Sequence, residues 1–300
     1  MDLARLRALR ELSKRKTMSA VAEALFLSAS AVSQQIAQLE DETGVKLVER
    51  RGRGVHLTAA AERLVAHTER IMGILEEAKT DLAELKKVIA GDLRIAAFPS
   101  VAATLIPQAM RIMQEQHPDL NILVNAMEPN EGMAALRAWQ TDIAITDDMT
   151  VDAVHADANV DKVYLYTDQL FAIVPSDHRL AQGQVIEISQ LRHDRWALDL
   201  ASNNYSDVIV SLCREAGYEP VVNGTCNGFE VVVALIEAGC SVSVMPGLRV
   251  QSYRGDVAVK PISPKVERQI YAAMRRGEMR NPAIAALLDI LQKIAADISP

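Results

Sequence analysis

Ser28, Ser30, Ser33, Gln34 and Gln38, with Ala29 among them, place short hydrogen-bonding side chains over about two and a half turns of one helical segment. A glutamine amide offers a donor and an acceptor side by side and pairs bidentately with adenine. A serine hydroxyl bonds to several bases or to phosphate. A helix exposed only for solubility would carry more Lys and Glu. Downstream, Arg51-Gly52-Arg53-Gly54 sets two guanidiniums on a glycine-rich turn. Glycine lets a backbone approach a surface closely, and arginine reaches phosphates or a narrow minor groove. Alone, such a turn is an ordinary solvated hairpin. Directly after the polar helix, the pair reads as recognition chemistry: base edges for the first set, salt-dependent anchoring for the arginines.

The elements that must hold these residues can be read locally. Thr17 or Ser19 caps a short helix with Ala20, Val21, Ala24 and Leu25 as its apolar positions. The pattern breaks at Phe26 and Leu27. Ser28 then caps a second helix that buries Ala29, Val32, Ile36 and Leu39, and Gly44 ends it in the left-handed manner. Two short helices across a tight turn have the form of a helix-turn-helix, whose second helix enters the major groove. A helix from Asp2 to about Lys14, with Leu3, Leu6, Leu9 and Leu12 near one face, packs beneath it. The apolar segments on either side of the Arg51–Gly54 turn form a two-stranded wing.

The order resembles the N-terminus of the LysR-type transcriptional regulators. The matching residues are Ala22-Glu23-x-Leu25, then Ser28-x-x-Ala31-Val32-Ser33-Gln34-Gln35-Ile36-x-x-Leu39-Glu40, then Gly44-Val45-x-Leu47-Val48-Glu49-Arg50 and Leu57-Thr58. They cover the first sixty residues at the family's spacing. The chain departs from it with Ser30 where proline is common, Ala29 where a polar residue often reaches DNA, and Val48 for phenylalanine. The resemblance implies a winged DNA-binding head over residues 1–58, a dimerising linker helix over 59–90 and an effector-binding domain over 91–300.

From Thr58 to about Ile89 the chain predicts one long helix. Leu64, Ile71, Leu75, Ala78, Leu82, Leu85 and Ile89 recur at heptad spacing between charged faces. This seam predicts a homodimer that presents two heads to two half-sites of double-stranded promoter DNA, with further pairing to a homotetramer expected.

After Ala90-Gly91-Asp92 the texture becomes α/β. Leu93–Phe98, Asn121–Asn125 and Asp142–Thr146 read as parallel strands between helices. Lys162–Leu165 and Leu170–Val174 read as two adjacent strands with Asp168 between them. A second α/β unit follows, and Arg268–Arg275 returns before a final helix from Pro282. The fold class is thus α+β multidomain: winged helix-turn-helix, coiled-coil linker helix and a two-lobed α/β domain resembling periplasmic binding proteins. Lobe one takes 91–166 with 268–300, and lobe two 167–267.

Ligands of open α/β sheets bind beyond the carboxyl ends of strands. That rule selects Pro99, Ser100 and Val101, Met127 and Glu128, and Thr146 in lobe one. In lobe two it selects Asn204, Cys226, Asn227 and Phe229, and Met245 and Pro246. Singly each has a bland role, with Ser100 as a helix cap and Phe229 as core; as a set they outline a cleft. The family resemblance implies a small effector there, a carboxylated metabolite or an amino acid.

Composition sets the remaining bounds. The net charge of −7 argues against nucleic acid until it is mapped. Residues 1–60 hold ten Lys and Arg against seven acids, a balance of +3, which leaves −10 for the rest. Cys213, Cys226 and Cys240 form no CxxC pair, so a reducing compartment is expected. No signal peptide and no membrane-spanning run is read, and the expected location is the cytoplasm. None of GxGxxG after a strand, GxxxxGK[ST], HExxH or GxSxG occurs, so no catalytic residue, metal or cofactor is expected. The rival reading is a cytoplasmic solute-binding or catalytic α/β protein whose N-terminal helices serve assembly only.

Overall fold

The computed structural model describes residues 1–25, 27–51, 54–86, 89–150, 159–199, 203–250, 253 and 255–298. Two compact units share the chain, Met1–Leu82 and Ala83–Pro300. Among the described residues no helix is long and apolar enough to cross a membrane.

The N-terminal unit opens with α1 (Leu3–Arg15), α2 (Met18–Leu25) and α3 (Ala29–Thr43). Thr17 rather than Ser19 caps α2, its hydroxyl accepting the Ala20 N–H at 3.2 Å. Ser28 caps α3 through the Ala31 N–H at 3.1 Å, and Gly44 closes it at φ 68°. Leu6, Leu9, Leu12, Val21, Val32, Ile36, Leu39 and Leu47 make the core. Ala29, expected on the buried side, is exposed, because the first turn of α3 projects beyond that core. Strands β1 (Val48–Arg51) and β2 (Gly54–Leu57) pair antiparallel as the wing.

Helix α4 (Ala59–Lys86) follows. Leu64 and Val65 pack into the N-terminal core. Beyond them the seam emerges into solvent, with Ile71 40 %, Leu75 38 % and Leu82 59 % exposed. The side chain of Leu85 lies outside the described residues.

In the second unit β3 (Gly91–Ala97), α5 (Pro99–Gln116), β4 (Leu120–Ala126), α6 (Pro129–Arg137) and β5 (Ile143–Asp147) build the first lobe. β3 pairs parallel with β4 and β5. The sheet is not wholly parallel, because β12 (Glu267–Arg275) returns antiparallel beside β5. At its rim Arg94 and Arg275 converge on Asp142, with Oδ1 at 2.7 and 3.2 Å. Burial pushes the Asp142 carboxyl up, but Arg94 and then Arg275 outweigh it and hold it below the usual range.

The two short strands expected around Asp168 are one, β6 (Val160–Pro175). A charged residue in mid-strand looks like an interruption. Here Arg268 stands directly opposite on β12 and neutralises it. The N-terminal half of β6 completes the first lobe beside β12. Its C-terminal half pairs antiparallel with β10 (Ser243–Pro246) and β11 (Val257–Ser263) in the second. That lobe adds β7 (Ile186–Glu187), the parallel pair β8 (Arg195–Asp199) and β9 (Val221–Cys226), and helices α7 (Asn203–Glu215), α8 (Phe229–Glu237) and α9 (Gly247–Val250). The final helix, α10 (Pro282–Asp297), packs on α5 in the first lobe's core.

Candidate functional sites

The first site is the exposed start of α3. Ser28, Ala29, Ser30, Ser33, Gln34 and Gln38 are all exposed, whereas Gln35 is half-buried. The hydroxyls of Ser28 and Ser30 lie 2.9 Å apart, within hydrogen-bond distance. Arg53 lies outside the described residues, as does the side chain of Arg51.

One residue absent from the predicted set fixes the wing against this helix. Glu40 lies near the end of α3 with only 9 % of its surface exposed. Its Oε1 accepts the Leu47 and Val48 N–H groups at 2.8 and 3.2 Å, and its Oε2 takes Lys46 Nζ at 2.8 Å. Burial pushes its carboxyl up; the Lys46 ammonium and the two N–H groups outweigh that and leave it below the usual range. Thr58 ties the other side: its N–H reaches Leu47 O at 3.0 Å, its hydroxyl reaches Lys46 O at 2.8 Å, and the same oxygen caps α4 through Ala61 N–H. Glu40 was quoted above only as part of a motif; its role needs the tertiary contact to be seen.

The second site is a cavity of about 310 Å³ within the second unit, at the small end of the range for small-molecule pockets. The first lobe contributes Phe98, Pro99 and Ser100 after β3, Glu128 and Pro129 after β4, Asp147 and Thr150 after β5, and Arg268 from β12. The second contributes Asp199 and Tyr205, then Gly228, Phe229 and Glu230 at the start of α8, then Met245, Pro246 and Arg249.

Arg268 organises the floor. It is 4 % exposed. Its Nε and Nη2 donate to one Asp168 oxygen at 3.1 and 2.8 Å, Nη2 also reaches Ser100 Oγ at 2.7 Å, and Nη1 lies 3.5 Å from Asp147. The guanidinium carbon stands 4.8 Å from the Phe98 ring centre. The other Asp168 oxygen accepts the Leu248 N–H at 3.0 Å. Burial pushes the Asp168 carboxyl up against the pull of Arg268. Asp147 also takes the Thr150 N–H and hydroxyl, both at 2.7 Å. On the opposite wall Asp199 accepts the Gly228 N–H at 3.0 Å. Arg249 stacks 4.3 Å from the Phe229 ring centre and pairs with Glu230 at 3.2 Å.

Of the residues chosen from sequence, Pro99, Ser100, Glu128, Phe229, Met245 and Pro246 meet at this cavity. Val101, Thr146 and Cys226 are buried in the lobe cores instead. Met127 is half-buried against α6, and Asn227 is exposed away from the lining. Asn204 opens α7, and its side chain lies outside the described residues. Asp147, Tyr205, Arg249 and Arg268 were not foreseen. Asp147 is one residue beyond Thr146 and carried a usable signal, the end of a strand. The others carried none.

A winged helix-turn-helix unit and a two-lobed α/β unit with a cavity between strand ends define the LysR-type transcription regulators. The family model for the LysR substrate binding domain matches residues 86–296, and that for the bacterial regulatory helix-turn-helix protein of the lysR family matches residues 3–62. The chain belongs to this family and is a DNA-binding transcription regulator with an effector-binding domain.

Among curated relatives, the transcriptional dual regulator GltC of Bacillus subtilis (strain 168) is 27 % identical over 246 residues, 82 % of this chain and 81 % of its own. A probable hydrogen peroxide-inducible genes activator of Streptomyces viridosporus is 26 % identical over 303 residues, 99 % of this chain and 95 % of its own. Among solved structures, a cysteine variant of full-length OxyR from Pseudomonas aeruginosa superposes with a TM-score of 0.70 at 23 % identity, covering 97 % of this chain and 98 % of that one.

Proposed function

We propose that this regulator reads its operator with Ser33 and Gln34 at the start of α3, flanked by Ser28, Ala29, Ser30 and Gln38, and anchors itself with Arg51 and Arg53. Two chains pair through α4, and further pairing to a homotetramer follows the same reading. A small-molecule effector occupies the cavity lined by Ser100, Asp147, Asp199, Phe229 and Arg268. It acts by binding one arrangement of the lobes better than another. The work is done in the cytoplasm, where promoter DNA is found. The observation that carries the reading is the occurrence in one chain of an exposed, uncharged hydrogen-bonding helix start and, in the second unit, a half-open cavity lined from both lobes.

Cys213 and Cys226 are poor candidates for a thiol switch, whatever signal the peroxide-inducible relative answers. Burial pushes the Cys213 thiol up, and burial followed by Asp199 does the same to Cys226. A redox-sensing cysteine needs the opposite shift.

The test is binding of the purified full-length protein to the DNA upstream of its own gene, against random DNA of equal length, at two salt concentrations. Preference that survives the higher salt supports the reading. Equal binding that salt erases reduces it to nonspecific attraction and leaves the cavity as the main function.

A further inference from the structure

The charge on the cavity wall selects among effectors. Four carboxylates line it among the described residues, Glu128, Asp147, Asp199 and Glu230, against two guanidiniums, Arg249 and Arg268. The lining therefore sums to −2. A fifth carboxylate, Asp168, stands immediately behind it.

Neither guanidinium is placed as an anion receptor. Arg268 faces Asp168 at 2.8 Å and Asp147 at 3.5 Å, and it presents the Ser100 hydroxyl toward the cavity. Arg249 is laid over Phe229 and turned to Glu230. The acids come from both lobes, Glu128 and Asp147 from one, Asp199 and Glu230 from the other. Asp147 and Glu230 offset the two guanidiniums, so the net charge falls on Glu128, in the capping box of α6, and Asp199, which accepts the Gly228 N–H. The remaining wall is apolar, with Phe98, Tyr205, Met245 and Pro246.

We propose that the effector of this cavity carries a protonated amine on a compact apolar body. The inference rests on the cavity being the effector site and specifies its ligand. It departs from the carboxylated metabolite first expected, and it keeps the amino-acid alternative, whose ammonium group meets the acids. In a half-open cavity with apolar walls, like charges repel and opposite charges attract more strongly than at a flat surface, although Glu230 at the mouth is itself largely exposed to water. A ligand bearing only a carboxylate meets a lining of net charge −2, which disfavours it. An ammonium group reached by acids of both lobes would favour arrangements that keep the two lobes together around it.

The experiment is calorimetric titration of the full-length protein with three size-matched pairs: benzylamine and benzoate, phenethylamine and phenylacetate, cadaverine and glutarate. Glu128→Gln and Asp199→Asn are titrated in parallel, and their unliganded melting curves report folding. The proposal expects saturable binding of amines only, weakened by more than about tenfold in either variant. Binding of the carboxylates instead, tightened by the same substitutions, overturns the amine assignment and leaves the cavity as the effector site. If no member of any pair binds any of the three proteins, the amine assignment and the reading of the cavity fall together.

Discussion

Arg268 and Asp168 face each other where β12 of the first lobe runs beside β6, the strand that continues into the second lobe, and the guanidinium places two N–H groups on a single carboxylate oxygen. A backbone N–H from α9 takes the other oxygen, and the Ser100 hydroxyl joins from the head of α5. Three separate parts of the domain thus meet at one ion pair.

Breaking that pair leaves a buried charge without its partner. Arg268→Ala is expected to cost about 3–5 kcal/mol of stability in the second unit, read as a lower urea midpoint. Replacing both members, with Arg268→Met and Asp168→Leu together, should recover much of the loss. If the double variant is as unstable as the sum of the two singles, the two residues do not act as a pair.

Gly247 is required by the same junction. A Cβ there would stand 2.9 Å from Gln169 O and 3.1 Å from an Asp168 oxygen. Gly247→Ala is therefore expected to destabilise the domain by about 1–3 kcal/mol through overpacking. A melting temperature equal to that of the parent would show that α9 shifts freely.

Acid should loosen each unit at a named carboxylate. The Glu40 and Asp142 carboxyls are both held below their ordinary values in the folded chain. Such groups contribute stability that is complete above the unfolded pKa and disappears as pH falls through the folded one. Unfolding titrations should therefore show stability declining from about pH 4.5 downward. In Glu40→Gln the decline assigned to the N-terminal unit should flatten. The same variant should weaken operator binding even at neutral pH, since the wing loses its tie to α3.

The DNA contacts divide by type. Gln34→Ala should cost about 1–3 kcal/mol against the operator and little against random DNA. Arg53→Ala should weaken both and reduce the salt slope by about one. Equal losses on both DNAs from both variants would remove the division.

The α4 seam predicts assembly. Leu75→Lys together with Leu82→Lys should shift the protein toward monomer in sedimentation and abolish simultaneous occupancy of two half-sites. Both positions are exposed within one chain, so a helix that served only its own chain would tolerate the change.

The N-terminal head was legible because its signals are local. Ser28 and Gly44 bound α3, and Val32, Ile36 and Leu39 repeat at helical spacing. The cavity was legible only as far as strand ends reveal it. Ser100 and Glu128 were found by that rule, but Thr146 was chosen where Asp147 lines the wall, since neighbouring residues in a strand face opposite sides. Val101, one residue past Ser100, likewise faces the core rather than the cavity. Asp168 looked like a break because the residue that neutralises it lies a hundred positions further along. Short-range patterns carry no trace of such a partner.

The route of β6 through both lobes has a mechanical consequence. Strand β12 runs beside it from Glu267 to Arg275, with a register shift between Ile270 and Tyr271. The lobes are thus joined by a hydrogen-bonded ribbon rather than by loose cords, and a ribbon resists sliding while yielding to torsion. A torsional change between the lobes would therefore bear on the β6–β12 pairing around Ile270 and Tyr271, where the register shift already lies.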